Sequence, residues 1–388
     1  MKIISIANQK GGCGKTTTAI NLVAALCVNG QRTLLIDLDP QAHATLGLNR
    51  DDRHSIYNII SRITPRKMTF KDIIQTVEKN FDIVPSNVLV GTLEQELAEE
   101  IGREMKLVEV IETVKDNYDY IIIDCPPSLG FLTVNALRAS NEVVIPVETS
   151  RFSVQGVDHL MDIINLIRER LNHHIEPRVL VTMFDSRLRH SFSMLDKIRA
   201  KFSDMLLGTI VHTNVKLKES AVMGKPVLSY DKYCRGAKDY YSLAKELLSI
   251  DKKPVKEVAL AATTEFTADE EIEIEAPELH DGGVEFSQRM KEIVAREVES
   301  ISQVTFALNA PEAQSVYLAG SFNDWSLNPT SRMEQENGLW TLRQTLKPGV
   351  HQYQFVVDGR WQADPANELK ESNGFGDMNS VIKVGANG

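Results

Sequence analysis

Over the first 250 positions, short unbroken apolar runs alternate with longer stretches whose apolar residues fall at helical spacing. The runs Ile3–Ala7, Thr33–Asp37, Phe81–Pro85, Tyr120–Asp124, Glu142–Pro146, Arg178–Thr182 and Gly208–Val211 read as strands, continuous rather than alternating, as buried strands are. From Thr16 onward, Ala19, Leu22, Val23 and Leu26 share one helix face, and Gly30 is placed to end that helix. This order predicts an α/β fold over residues 1–250, a mostly parallel sheet with helices on both faces. Between 251 and 283 the periodicity is lost and Pro254, Pro277 and the Gly282–Gly283 pair intervene, which predicts a flexible acidic linker. Phe286, Met290, Ile293 and Val294 then cluster within a short helix expected in 284–301. From 302 to 388 the pattern changes to short alternating strands, with turns at Pro348–Gly349 and Asp358–Gly359, and predicts a small immunoglobulin-like β-sandwich.

Chemistry enters between the first strand and the first helix, where Lys10–Thr17 reads KGGCGKTT. Gly11, Gly12 and Gly14 let backbone N–H groups close around an anion at a helix N-terminus, as in a P-loop NTPase. In such a loop Lys15 reaches the β and γ phosphates and the Thr16 hydroxyl binds Mg²⁺. Lys10 adds a second lysine just ahead of that pattern. LLIDLDPQ sets Asp37 and Asp39 at the carboxyl end of the second strand, where either can orient a water. IIIDCPP supplies Asp124 at the end of an apolar strand, the place of a carboxylate that holds Mg²⁺ through its waters.

Composition narrows the picture only in places. A length of 388 residues suits two or three domains. The four cysteines, 13, 27, 125 and 234, lack paired metal-ligand spacing, which favours a reduced, cytoplasmic protein over a disulfide scaffold. No signal peptide and no membrane-length apolar run is expected. The formal net charge of −10 owes much to Glu265, Asp269, Glu270, Glu271, Glu273, Glu275 and Glu278, a stretch without a basic residue.

KGGCGKTT, DLDPQ and DCPPS together resemble the ParA/MinD class of P-loop ATPases, the chromosomal Soj-like branch in particular. LVTMFDSR at Leu180–Arg187, NVKLKESAVMGKPVLSYD at Asn214–Asp231 and the closing CRGAKDYYSLAKEL extend the resemblance to about residue 248. It implies ATP and Mg²⁺ as cofactors, with ATP bound by the Lys10, Gly11, Gly12, Cys13, Gly14, Lys15, Thr16 and Thr17 segment and its adenine contacted by Asn214. It further implies an ATP-dependent homodimer in which Lys10 reaches the partner's phosphates. Catalysis then falls to Lys10, Lys15 and Asp39, with Asp37 in support, and the metal to Thr16, Asp39 and Asp124. Cys13 stands where the family often has valine and is expected to be a silent substitution. Non-specific DNA binding through Arg187 and Lys216, a ParB-like stimulating partner and a nucleoid-associated location are also implied. His212–Thr213 departs from the family's Pro-Arg, which removes one expected phosphate contact. Neither the membrane helix of the MinD relatives nor the paired cluster cysteines of iron-protein relatives is matched.

VYLAGSFNDW, HQYQFVVDGRW and NSVIKV, within 302–385, resemble the glycogen-binding module of the AMP-activated protein kinase β subunit and of starch-branching enzymes. The resemblance implies stacking of α-glucan on Trp325 and Trp361, with Gln354, Phe375 and Asn379 as further contacts. Aromatic faces suit the apolar faces of pyranose rings. The leading expectation is an ATPase that positions a chromosome, plasmid or other cargo. The competing ones are a glucan- or protein-binding adaptor that targets the ATPase through this module, and a module that regulates the ATPase within the chain.

Overall fold

The computed structural model describes residues 1–150, 153–251, 302–323, 325–327, 329–336, 338–346, 349–372 and 378–384. The chain divides into two compact units, the cut falling near residue 286. The expected linker at 251–283 and helix at 284–301 lie outside the described residues, apart from Asp251.

The first unit is built on eight strands: β1 (Lys2–Ile6), β2 (Thr33–Asp37), β3 (Gln75–Glu78), β4 (Phe81–Val84), β5 (Tyr120–Asp124), β6 (Glu142–Glu148), β7 (Glu176–Phe184) and β8 (Leu206–His212). Their order across the sheet is β3-β4-β2-β5-β1-β6-β7-β8, parallel throughout except for the β3–β4 pair. The seven expected strands are present within one or two residues. The eighth, β3, carries the half-exposed residues QTVE, which show no apolar run because an edge strand buries little.

The central strands β2 and β5 are buried along their whole length. The Lys15–Val28 helix is buried almost throughout, and it ends where Gly30, at φ 87°, takes the left-handed position after Asn29. The Arg235–Asp251 helix packs Tyr240, Leu243, Ala244 and Leu247 into the same core. Its last residue is tied to the amino edge of the sheet: Asp251 accepts a hydrogen bond from Tyr120 Oη at 2.6 Å and pairs with Lys2. Lys2 also meets Glu142 at 2.6 Å, and Glu142 meets Arg178 at 3.1 Å.

The second unit is two antiparallel sheets around one core. β9 (Ser302–Asn309), β11 (Glu334–Glu336) and β12 (Leu339–Leu346) form the smaller sheet. β10 (Val316–Gly320), β13 (Gly349–Val357), β14 (Arg360–Gln362), β15 (Lys370–Ser372) and β16 (Met378–Val384) form the larger one. Phe306, Leu308, Leu318, Trp340, Tyr353 and Phe355 fill the space between them. Trp340 donates its indole N–H to Ala310 O at 2.9 Å, the partner a buried tryptophan needs.

Candidate functional site

The parallel register brings the key carboxylates together. Asp124 at the end of β5 stands directly beside Asp37 at the end of β2 and beside Ile6 at the end of β1, from which the phosphate loop departs. Gly12 and Gly14 take φ values of 71° and 90°, so the loop turns in a way side chains resist, and Gly14 O receives the first helical hydrogen bond, from Thr18 N–H at 2.8 Å. Lys15 is buried and donates to Lys10 O at 2.9 Å. Cys13 is also buried. Its thiol meets Lys10 O at 3.2 Å, its carbonyl accepts from Thr182 Oγ1 at 2.8 Å, and burial raises its pKa, as suits an inert side chain.

Asp124 is wholly buried, and neither carboxylate oxygen has a hydrogen-bond partner among the described residues. Burial, followed by the charge of Asp37, pushes its carboxyl well above the usual range, while the nearby Thr16 hydroxyl works in the opposite direction without closing a full hydrogen bond. A buried carboxylate whose lone pairs no donor uses, next to Thr16 and Lys15, has the chemistry of a cation ligand. These residues therefore fit Mg²⁺ held between protein and phosphate.

Asp37 is buried too, but its oxygens are used. Oδ2 accepts from Thr45 N–H at 2.9 Å and Thr45 Oγ1 at 2.7 Å, and Oδ1 accepts from Asp39 N–H at 3.2 Å. Burial raises its pKa to about 6 against these hydrogen bonds. Asp37 thus anchors the segment that carries Asp39, whose own Oδ1 takes Gln41 N–H at 2.9 Å.

Lys10 points elsewhere. Its ammonium pairs with Glu148, at the end of β6, and donates to Ser150 Oγ at 2.8 Å. The two ammonium groups thus have different partners, Glu148 and Ser150 for Lys10 and the Lys10 carbonyl for Lys15. Glu148, Ser150, Thr45 and Thr182 are site residues the sequence reading missed. A carboxylate ending a strand beside the loop was the one available signal.

Asn214 caps the Val215–Val222 helix, its Oδ1 accepting from Lys216 N–H at 2.9 Å. Arg187 is fully paired with Asp185 through contacts at 2.9 and 2.6 Å, and Lys216 pairs with Glu219 at 2.7 Å and lies over the Tyr230 ring. From Asp185 to Asp239 the sequence still carries eleven Lys and Arg against six Asp and Glu, the reverse of the whole chain. Among the described residues no helix is long and apolar enough to cross a membrane.

In the second unit, residues two apart on a strand share a face, so Gln352, Gln354 and Val356 of β13 lie with their cross-strand partners Val381, Ala319 and Trp361. Asn379, two residues before Val381, joins them. The Trp325 and Trp361 rings meet with centroids 6.2 Å apart at 44°, and Trp361 is 46 % exposed. Trp325 holds a left-handed backbone, φ 57°, in a turn closed by its N–H on Gly320 O at 3.0 Å. Gly320 is needed there, since a Cβ would sit 2.6 Å from Gln352 O. Gln354 and Asn379 are buried and bonded internally, Gln354 Nε2 to Met378 O and Asn379 Nδ2 to Gln352 Oε1, both at 2.9 Å. Phe375 lies outside the described residues.

Residues 1–177 match a family model described as an AAA domain, and residues 303–387 match one described as the glycogen recognition site of AMP-activated protein kinase. The sporulation initiation inhibitor protein Soj of Bacillus subtilis is 43 % identical over 251 residues, 63 % of this chain and 98 % of Soj. The chromosome partitioning protein ParA of Myxococcus xanthus is 38 % identical over 66 % of this chain and 92 % of its own length. Among solved structures, cobyrinic acid a,c-diamide synthase of Mycobacterium smegmatis with bound ATP analogue and magnesium is 28 % identical, with a TM-score of 0.58, over 65 % of this chain and 96 % of that one. The loop, the paired strand-end aspartates and these relatives agree: through about residue 250 the chain belongs to the Soj/ParA family.

Proposed function

We propose that the chain is an Mg²⁺-dependent ATPase that dimerises on ATP, binds DNA without sequence preference and uses hydrolysis to position a cargo in the cytoplasm, at the nucleoid. The observation that carries the reading is the buried, partnerless Asp124 carboxylate beside Asp37, Thr16 and Lys15. Thr16 and Asp124 would hold Mg²⁺, with Asp39 beside them, and the ion there neutralises charge on the phosphates. Backbone N–H groups of residues 10–17 cradle the phosphates, and Lys15 lies buried where it can meet them. Asp39, set by Asp37, orients the attacking water. Lys10 leaves Glu148 to reach the second subunit's phosphates, and Asn214 meets adenine.

The excess of cations between Asp185 and Asp239 supports the DNA reading. The ion pairs of Arg187 and Lys216 are exposed, and solvent-screened pairs contribute little, so phosphate can displace them. A ParB-like protein is the expected stimulator. Asp39→Ala with ATP should run as a dimer and retard DNA, with turnover reduced by about a hundredfold. Arg187→Ala and Lys216→Ala in that background should weaken DNA binding and each flatten its salt dependence. Wild-type turnover by Asp39→Ala would remove the catalytic assignment.

A second reading, glucan targeting, is favoured by the strained backbone of Trp325, which sets its ring against Trp361. The aromatic pair makes the main contact, and Gln354 and Asn379, expected as further contacts, hold internal hydrogen bonds across β13 and β16. Trp361→Ala should reduce co-sedimentation with glycogen at least about tenfold, with ATP turnover unchanged. Equal sedimentation of both proteins would leave the module as a protein-binding surface.

A further inference from the structure

A closed polar ring at the carboxyl end of β8 takes no part in the phosphate chemistry. His212, the last residue of β8, donates its backbone N–H to Asp239 Oδ2 at 2.9 Å, and its Nδ1 lies 2.9 Å from the same oxygen. Arg235 completes the ring, with Nε donating to Asp239 Oδ1 at 2.9 Å and Nη2 lying 3.2 Å from His212 Nε2. A guanidinium can only donate, so Nε2 is the acceptor and the imidazole proton sits on Nδ1, directed at Asp239. The imidazole also meets the Phe184 ring edge-on, with centroids 5.5 Å apart at 88°.

What this ring holds is the turn Thr213–Asn214. Thr213 N–H bonds to Phe184 O at 3.1 Å, so the turn is pinned to β7 on one side and, through His212, to the Arg235–Asp251 helix on the other. The strand end to which the turn is pinned adjoins the phosphate loop. Met183, next to Phe184, is held at φ 52° with its Cε 3.8 Å from where a Cβ on Gly14 would stand. Asn214 Oδ1 already accepts from Lys216 N–H, which turns the Nδ2 amide into the side chain's donor toward a ligand. That fits an acceptor nitrogen on a purine ring.

We propose that His212 is a positioning residue for the nucleotide base, holding the Thr213–Asn214 turn so that the Asn214 amide donates to a purine ring nitrogen beside Met183. The inference rests on the ATP reading of the phosphate loop. Its test is titration of the full chain with a fluorescent ATP analogue, with inorganic tripolyphosphate as a baseless competitor. His212→Ala should raise the Kd for the ATP analogue about fivefold to tenfold, and raise KM for ATP with kcat unchanged. Tripolyphosphate should compete as well as against wild type. His212→Asn keeps an N–H near the Nδ1 position and should restore the Kd to within about twofold. The proposal is overturned if His212→Ala binds ATP as wild type does, if it loses tripolyphosphate in proportion, or if asparagine gives no rescue. A wild-type chain that binds neither ligand would remove the ATP reading itself, whereas wild-type affinity in His212→Ala removes this inference alone.

Discussion

Replacing Lys10 with alanine is expected to cut ATP turnover by about a thousandfold, the scale of a cationic group supplied from a neighbouring subunit, while leaving nucleotide affinity within about threefold. The reason lies in where the two lysines go. Lys15 is buried and bonded to the carbonyl of Lys10, an atom alanine retains, whereas the Lys10 ammonium reaches away to Glu148 and Ser150. The group lost is therefore not the one that holds the subunit's own phosphates. Phosphate release and analogue titration check the two halves separately. A mixture sharpens the test, because Lys10→Ala retains Asp39 and Asp39→Ala retains Lys10. If Lys10 serves the opposite subunit, the mixed dimer has one complete site, and two inactive proteins combined should recover about a quarter of wild-type turnover. No recovery would place the action of Lys10 within its own subunit.

Asp124→Asn should abolish Mg²⁺-dependent turnover, by about a hundredfold or more, and at the same time make the nucleotide-free protein more stable. The wild-type carboxylate is buried with no partner, and its pKa is raised by burial and by Asp37. Asp37 is itself raised to about 6. For both groups the folded state holds its proton more tightly than the unfolded state, whose aspartates titrate near ~4. Their contribution to stability is thus fully present below about pH 4 and is lost as pH rises through 6 and beyond. An amide in place of the Asp124 carboxyl would not ionise, so the nucleotide-free variant at pH 8 should melt about 2–6 °C higher, with a flatter pH dependence. Thermal unfolding from pH 5 to 8 checks this. A lower midpoint than wild type across that range would mean that the carboxylate makes stabilising contacts instead.

What could be read from the chain and what could not divide along physical lines. Strands such as β2 and β5 are legible because burial on both faces demands unbroken apolar runs, and the phosphate loop because few residue types permit its backbone. The edge strand β3 is illegible for the opposite reason, having little to bury. The pairing of Lys10 with Glu148 joins positions 138 apart, and only the sheet order puts the ends of β1 and β6 side by side. From the strand pattern alone either Asp37 or Asp39 can orient a water; hydrogen bonding distinguishes them, since Asp37 is bonded on both oxygens and Asp39 is carried on the segment it anchors. For Gln354 and Asn379 the motif gives no sign that their amides are spent on neighbouring strands.

The tie between Asp251, Lys2 and Tyr120 has a practical meaning. The last described helix of the ATPase finishes at the amino edge of its sheet, and the nucleotide chemistry lies at the carboxyl edge. Asp251 thus lies at the edge of the sheet opposite the one from which the Lys10 and Asp39 segments depart. A substitution that breaks this tie would loosen the helix end without touching a residue of the phosphate site.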